Sequence, residues 1–136
     1  MGTSALAEDI LAQIADAVIY ADHHGVIRRW NHGAEAIFGH SAAEALGQNL
    51  DLIVPIDLRA PHWRGFGAAM AKGILQLDGR PTLTRAVRKD GATIYVELSF
   101  ALVHSGVGRR SLGAVAVARQ VVRRKPDQTA TRERVS

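Results

Sequence analysis

Six histidines and no cysteine set the chemistry open to this chain. Without thiols there is no disulfide, no thiolate chemistry and no C-x-x-C-H site for covalent haem attachment. A haem here would be non-covalent, with histidine, methionine or tyrosine as its axial ligand. Five histidines have plain accounts. His23 and His24 sit in a turn-like HHG, His32 and His40 stand near predicted helix ends, and His104 opens a loop before Ser105. His62 is different, because it opens the segment HWRGFGAAMAK seven residues after Pro55. A histidine at a helix start can cap or bond local backbone, or it can serve as a ligand. No paired acid–base groups and no nucleophile constellation identify a substrate.

The elements that must position these residues follow from periodicity. Residues 5–15 place Leu6, Ile10, Leu11 and Ile14 at helical spacing, which predicts an amphipathic N-terminal helix. AVIYAD and VIRRW flank a Gly-containing turn over 22–25, a hairpin signal. Asn31 caps a short helix that Gly39 ends. SAAE, from Ser41 to Glu44, is a capping box closed by Gly47. A short segment runs on to Pro55, and a helix follows from Pro61 or His62 to Lys72, stopped by Gly73. PTLTRAVR and TIYVELSFALV flank KDG, and SGVGRR leads into SLGAVAVARQVV, giving three further strands. Two strands, a block of short helices, then three antiparallel strands predict an α+β domain with helices on one sheet face. The predicted organisation is a helix over 1–16, a domain over 17–122 and a basic, disordered tail over 123–136. Asp22 and Asn31, turn- and cap-forming types beside strand ends, are assigned to the fold.

The chain has 136 residues, enough for one domain with a self-sufficient core. It carries a formal charge of +4, but much of the excess lies in residues 119–134. A terminal basic run of that kind reads as a solvated end. With three Phe, two Trp and two Tyr, mostly at core-like positions, a stacking platform for nucleic acid is not expected. No apolar run is long enough to span a bilayer and no signal peptide is evident, so the expected compartment is the cytoplasm.

In order and in local text the chain resembles the PAS family. DAVIYADHHGVIRRWNHGAEAIFGHSAAEALGQNL is similar to the PAS opening: a strand ending in Asp, a turn Gly, a second strand, then W-N and a helix reaching F-G. RKDGATIYVELSF is similar to the PAS hairpin in which K/R-D-G precedes an alternating strand. The resemblance implies the PAS fold, a five-stranded antiparallel sheet with short helices packed on one face. Members hold haem, flavin, a metabolite or a chromophore, and many only dimerise, so the fold does not settle function. The absence of cysteine excludes the flavin–thiol chemistry of LOV domains and the thioester-linked chromophore of photoactive yellow protein.

IVPIDLRAPHWRGF resembles the oxygen-sensing haem PAS domains of the FixL type, in which the proximal histidine follows a proline by the interval separating Pro55 from His62. That resemblance implies His62 as the iron ligand of a b-type haem, with Trp63 and Phe66 beside it. It implies a strand wall of Ile94, Val96, Leu98, Val115 and Val117, with Ala114, Ala116 and Ala118 as the other register of the last strand. Counted back from Asp90, the distal arginine position falls on Thr82, with Arg80 and Arg85 flanking it; Arg80 is the candidate taken. Met70, two turns beyond His62 on the same helix, is rejected as a sixth ligand. The implied function is sensing a diatomic gas (O2, CO or NO) or a redox state, as a homodimer joined through Leu6, Ile10 and Ile14, with a separate signalling partner. Two other readings stand beside it: a cofactor-free interaction or dimerisation domain in which His62 is structural, and a small stand-alone haem enzyme.

Overall fold

Asn31 ties the N-terminal half together. Its Oδ1 accepts from the backbone N–H of Val18 (2.8 Å) and of Ala34 (2.9 Å), and its Nδ2 donates to the carbonyls of Leu11, Ile14 and Asp16. One buried amide thereby joins a helix end, a strand and the cap of the next helix. The computed structural model describes residues 2–73, 80–104 and 111–122. Helix α1 spans Gly2–Gln13, two residues short of the expected end, where Asn31 takes the following carbonyls. Strand β1 (Ala17–Asp22) and β2 (Ile27–Trp30) form the expected hairpin. Asp22 closes its turn by accepting from the N–H groups of His24 and Val26, and Gly25 takes the positive φ (82°) the turn requires.

Helix α2 (His32–Phe38) ends at Gly39 in the left-handed region, and α3 (Ala42–Ala45) carries the complete Ser41/Glu44 capping box. Two single 3-10 turns, Leu50–Leu52 and Ile56–Leu58, lead into α4 (Arg59–Lys72). That helix begins two to three residues before its expected start. Pro61 is tolerated in its first turn, where the backbone N–H groups have no intrahelical partner. The segments 74–79 and 105–110 and the tail 123–136 lie outside the described residues.

Strands β3 (Thr82–Val87), β4 (Thr93–His104) and β5 (Ser111–Val121) complete a five-stranded antiparallel sheet of order β2-β1-β5-β4-β3. The class expected from sequence is the one found. Phe38, Ile27 and Val96 are its largest fully buried side chains, within a cluster that includes Ile19, Trp30, Ala86, Ile94 and Ala118. The apolar residues of α1 do not join that core: Leu6 is 59% exposed and Ile10 54%. Among the described residues no helix is long and apolar enough to cross a membrane.

Candidate functional site

Between α4, the 3-10 turns and the inner face of the sheet lies a cavity of about 370 Å³, within the range of small-molecule and cofactor sites. Its sheet wall is set by strand register. Ile19 pairs with Ala116 and Ala21 with Ala114; Phe100 pairs with Ala116 and Leu98 with Ala118; Thr82 pairs with Leu98 and Thr84 with Val96. Paired residues share a face, so Val96, Leu98 and Phe100 project inward with the alanines of β5. The alanines leave the space that the cavity occupies. Leu50, Ile53, Leu58, Pro61, His62 and Phe66 close the helical side.

The sequence-derived site residues fall into distinct places. His62, Phe66, Val96 and Leu98 line the cavity. Ile94 shares the inward register but packs in the core beyond it, 8% exposed. Val115 and Val117 do not line it. The register with β1 and β4 turns them to the opposite sheet face, where Val117 is 37% exposed, and Ala114 and Ala116 stand in their place. Arg80 is exposed and outside the lining; the arginine that reaches the cavity is Arg85.

Trp63 is also outside the lining. Its Nε1 donates to Asp51 Oδ1 at 2.7 Å, and its ring covers Gly25 so closely that a Cβ there would come within 2.3 Å of it. Arg59 donates to the carbonyls of Val54 and Asp51 and lies 3.8 Å from the Asp51 carboxylate. The first turns of α4 are therefore fastened to the segment before them, and Trp63 positions His62. The two rings meet edge to face at 4.7 Å between centroids, with Phe66 at 6.1 Å from His62.

His62 Nδ1 is buried with no hydrogen-bond partner, the one such side-chain atom among the described residues. Burial pushes the imidazole below its ordinary value, and the Asp51 carboxylate opposes that shift without reversing it. The ring is thus held neutral near pH 7, the form that ligates a metal. Leaving a buried polar atom unpaired costs about 1–3 kcal/mol. Iron bound at this nitrogen is one way to recover that cost. Among the described residues no cluster of three or more His, Asp or Glu could hold a bare metal ion. The donor set suits a metal that brings its own equatorial ligands, and the largely apolar walls suit a flat hydrophobic macrocycle. The residues present fit haem.

Sequence reasoning reached Thr82 by the count back from Asp90 but set it aside for Arg80, and it passed over Thr84, Phe100, Leu50 and Ile53 as wall residues. The threonines were readable from the KDG hairpin, since a short turn fixes which β3 and β4 positions face each other.

A five-stranded antiparallel sheet of this order with short helices on one face defines the PAS architecture. The chain belongs to the PAS family: the family model described as the PAS fold matches residues 5–121. Over 97 residues it is 33% identical to sensor protein FixL of Bradyrhizobium diazoefficiens, covering 71% of this chain and 19% of that one. Over 74 residues it is 27% identical to oxygen sensor protein DosP of Escherichia coli, covering 54% of this chain and 9% of that one. The chain thus spans less than a fifth of the length of these curated relatives. The PAS domain of a Colwellia psychrerythraea protein superposes with a TM-score of 0.75 at 21% identity, covering 90% of this chain and 99% of that one.

Proposed function

We propose that this chain is a haem-binding PAS sensory domain in which His62 is the protein ligand of a non-covalent haem b. The observation that carries the reading is the buried, unpartnered Nδ1 of a neutral imidazole on the wall of an apolar cavity. The similarity to sensor protein FixL and oxygen sensor protein DosP supports it. When bound, haem supplies an iron centre that takes a diatomic gas or changes redox state. The chain's own residues do the rest. Trp63, Asp51 and Arg59 fix the helix that presents His62, while Phe66, Val96, Leu98 and Phe100 would exclude water from a group bound in the cavity. Thr82 and Thr84 supply hydroxyl groups on the β3 side of the cavity.

PAS domains commonly dimerise and signal to partners. Here the dimer we propose joins two copies through Leu6 and Ile10, which this chain leaves uncovered, with Ile14, half-buried just past the end of α1, at its margin. Removing residues 1–15 should then convert a dimer to a monomer in size-exclusion chromatography. The domain is proposed to work in the cytoplasm.

Haemin titration of the apo protein tests the ligand. One equivalent should saturate a sharpened Soret band, and the reduced protein should show an iron–histidine stretch in resonance Raman. A broad, non-saturating Soret band would remove the haem reading and leave a cofactor-free interaction domain.

A further inference from the structure

We propose that Arg85 is the docking group for the carboxylate of an amphipathic ligand in the cavity, and that Asp57 occupies that group until such a ligand arrives. The proposal rests on the cavity reading above and extends it to the ligand's polar end. Arg85 is the one Lys or Arg among the described residues lining the cavity. It stands on β3 at the edge of the sheet, in the register opposite to Thr82 and Thr84, and its long side chain, 37% exposed, turns to Asp57 in the Ile56–Leu58 turn before α4. Asp57 holds it with two prongs, Nη2 to Oδ2 at 2.7 Å and Nη1 to Oδ1 at 3.5 Å.

That is the geometry in which arginine takes any carboxylate. A ligand carboxylate offers the same pair of oxygens, so the exchange preserves the number of charge-assisted bonds. An exposed ion pair adds little to stability and resists exchange weakly. The displaced Asp57 is 62% exposed and can return to water. The cavity wall supplies the other half of the match, since its interior is apolar apart from His62, Thr82 and Thr84. The ligand class is an apolar body ending in a carboxylate, which describes haem with its propionates and equally a fatty acid.

The exchange also has a mechanical consequence. Asp57 lies in the Ile56–Leu58 turn that runs directly into α4, and Leu58 and Pro61 on either side of that junction line the cavity. While Asp57 holds Arg85, the approach to α4 is tied to the edge strand. A ligand carboxylate on Arg85 releases that tie on the helix that carries His62. Occupancy is thereby coupled to the freedom of one helix terminus.

The test titrates the full chain, as wild type, Arg85→Gln and Asp57→Asn, with two pairs of probes. Haemin and its dimethyl ester are read by Soret absorbance; decanoate and decanol are read by tryptophan fluorescence. Wild type should prefer the acid of at least one pair by about tenfold, as a charge-assisted bond predicts. Arg85→Gln should erase that preference, and Asp57→Asn should enlarge it severalfold. Circular dichroism confirms that both surface variants fold. Arg85-dependent binding of decanoate without a haemin Soret band would support the docking group and remove haem as its ligand. A His62-dependent Soret band whose acid-to-ester ratio ignores Arg85 would leave haem and overturn the proposal. No acid preference in either pair would overturn it as well.

Discussion

Trp63 donates its indole N–H to Asp51 Oδ1 at 2.7 Å while its ring lies against Gly25, so the residue next to His62 is pinned at both ends. The strand-to-strand turn, the 3-10 segment and the cavity helix thus meet at one side chain. Trp63→Phe deletes the bond to a carboxylate and should cost about 1–3 kcal/mol. Gly25→Ala puts a Cβ into the ring and into a left-handed φ, and should cost at least as much. Because Trp63 and Asp51 share one bond, Trp63→Phe and Asp51→Asn should be non-additive by about 0.5 kcal/mol or more. Urea unfolding of the two single variants and the double variant checks this.

Asn31 makes a comparable knot at the start of β1, with five bonds from one amide. Asn31→Ala removes the cap of α2 and leaves buried backbone groups unpaired, and should cost about 2–4 kcal/mol. Thermal unfolding should show it as the larger loss beside Asp22→Ala, whose turn is solvent-facing.

The Asn31 knot and the Asp22 turn were legible in the sequence because both residues are turn- and cap-forming types beside strand ends, whereas the tie of Trp63 to Asp51 and Gly25 was not, since Trp63 reads from sequence as a neighbour of the cofactor. The element order was legible too, since each hairpin and helix carries its own stop signals. The far wall of the cavity was not. A strand alternates with period two, and which half of β5 faces inward depends on its pairing with β1 and β4. Val115 and Val117 look like wall residues by hydrophobicity, yet pairing of Ala116 with Ile19 and Phe100 turns the alanines inward. Arg85 escaped for a related reason. An ungapped count along β3 singles out Thr82, whereas reach into the cavity from an edge strand depends on a long side chain and on Asp57 across the opening.

That register makes an affinity prediction. Ala116→Leu pushes a side chain into the cavity at a cost of about 1–3 kcal/mol to a bound ligand, or about 5- to 150-fold in haemin affinity. Val117→Leu, on the opposite face, should change haemin affinity by less than about twofold. Equal effects from the two would contradict the inward placement of the alanines.

The pH dependence of the apo protein follows from His62. Its folded value is depressed from the ordinary 6.5, chiefly by burial. As pH falls below 6.5 the unfolded chain takes up a proton there before the folded chain does, so stability falls; above 6.5 this contribution is constant. His62→Gln should flatten the dependence below pH 6.5 while leaving the rest of the profile in place. Urea midpoints of both proteins across that range measure it, and parallel profiles would contradict a buried neutral imidazole.

Ligation through His62 is tested most directly by the absorption spectrum of the protein with one equivalent of haemin, wild type beside His62→Ala and His104→Ala. A sharp Soret band in wild type and His104→Ala, lost or shifted in His62→Ala, is the predicted result. An unchanged band in His62→Ala, or no stable band in wild type, would contradict it.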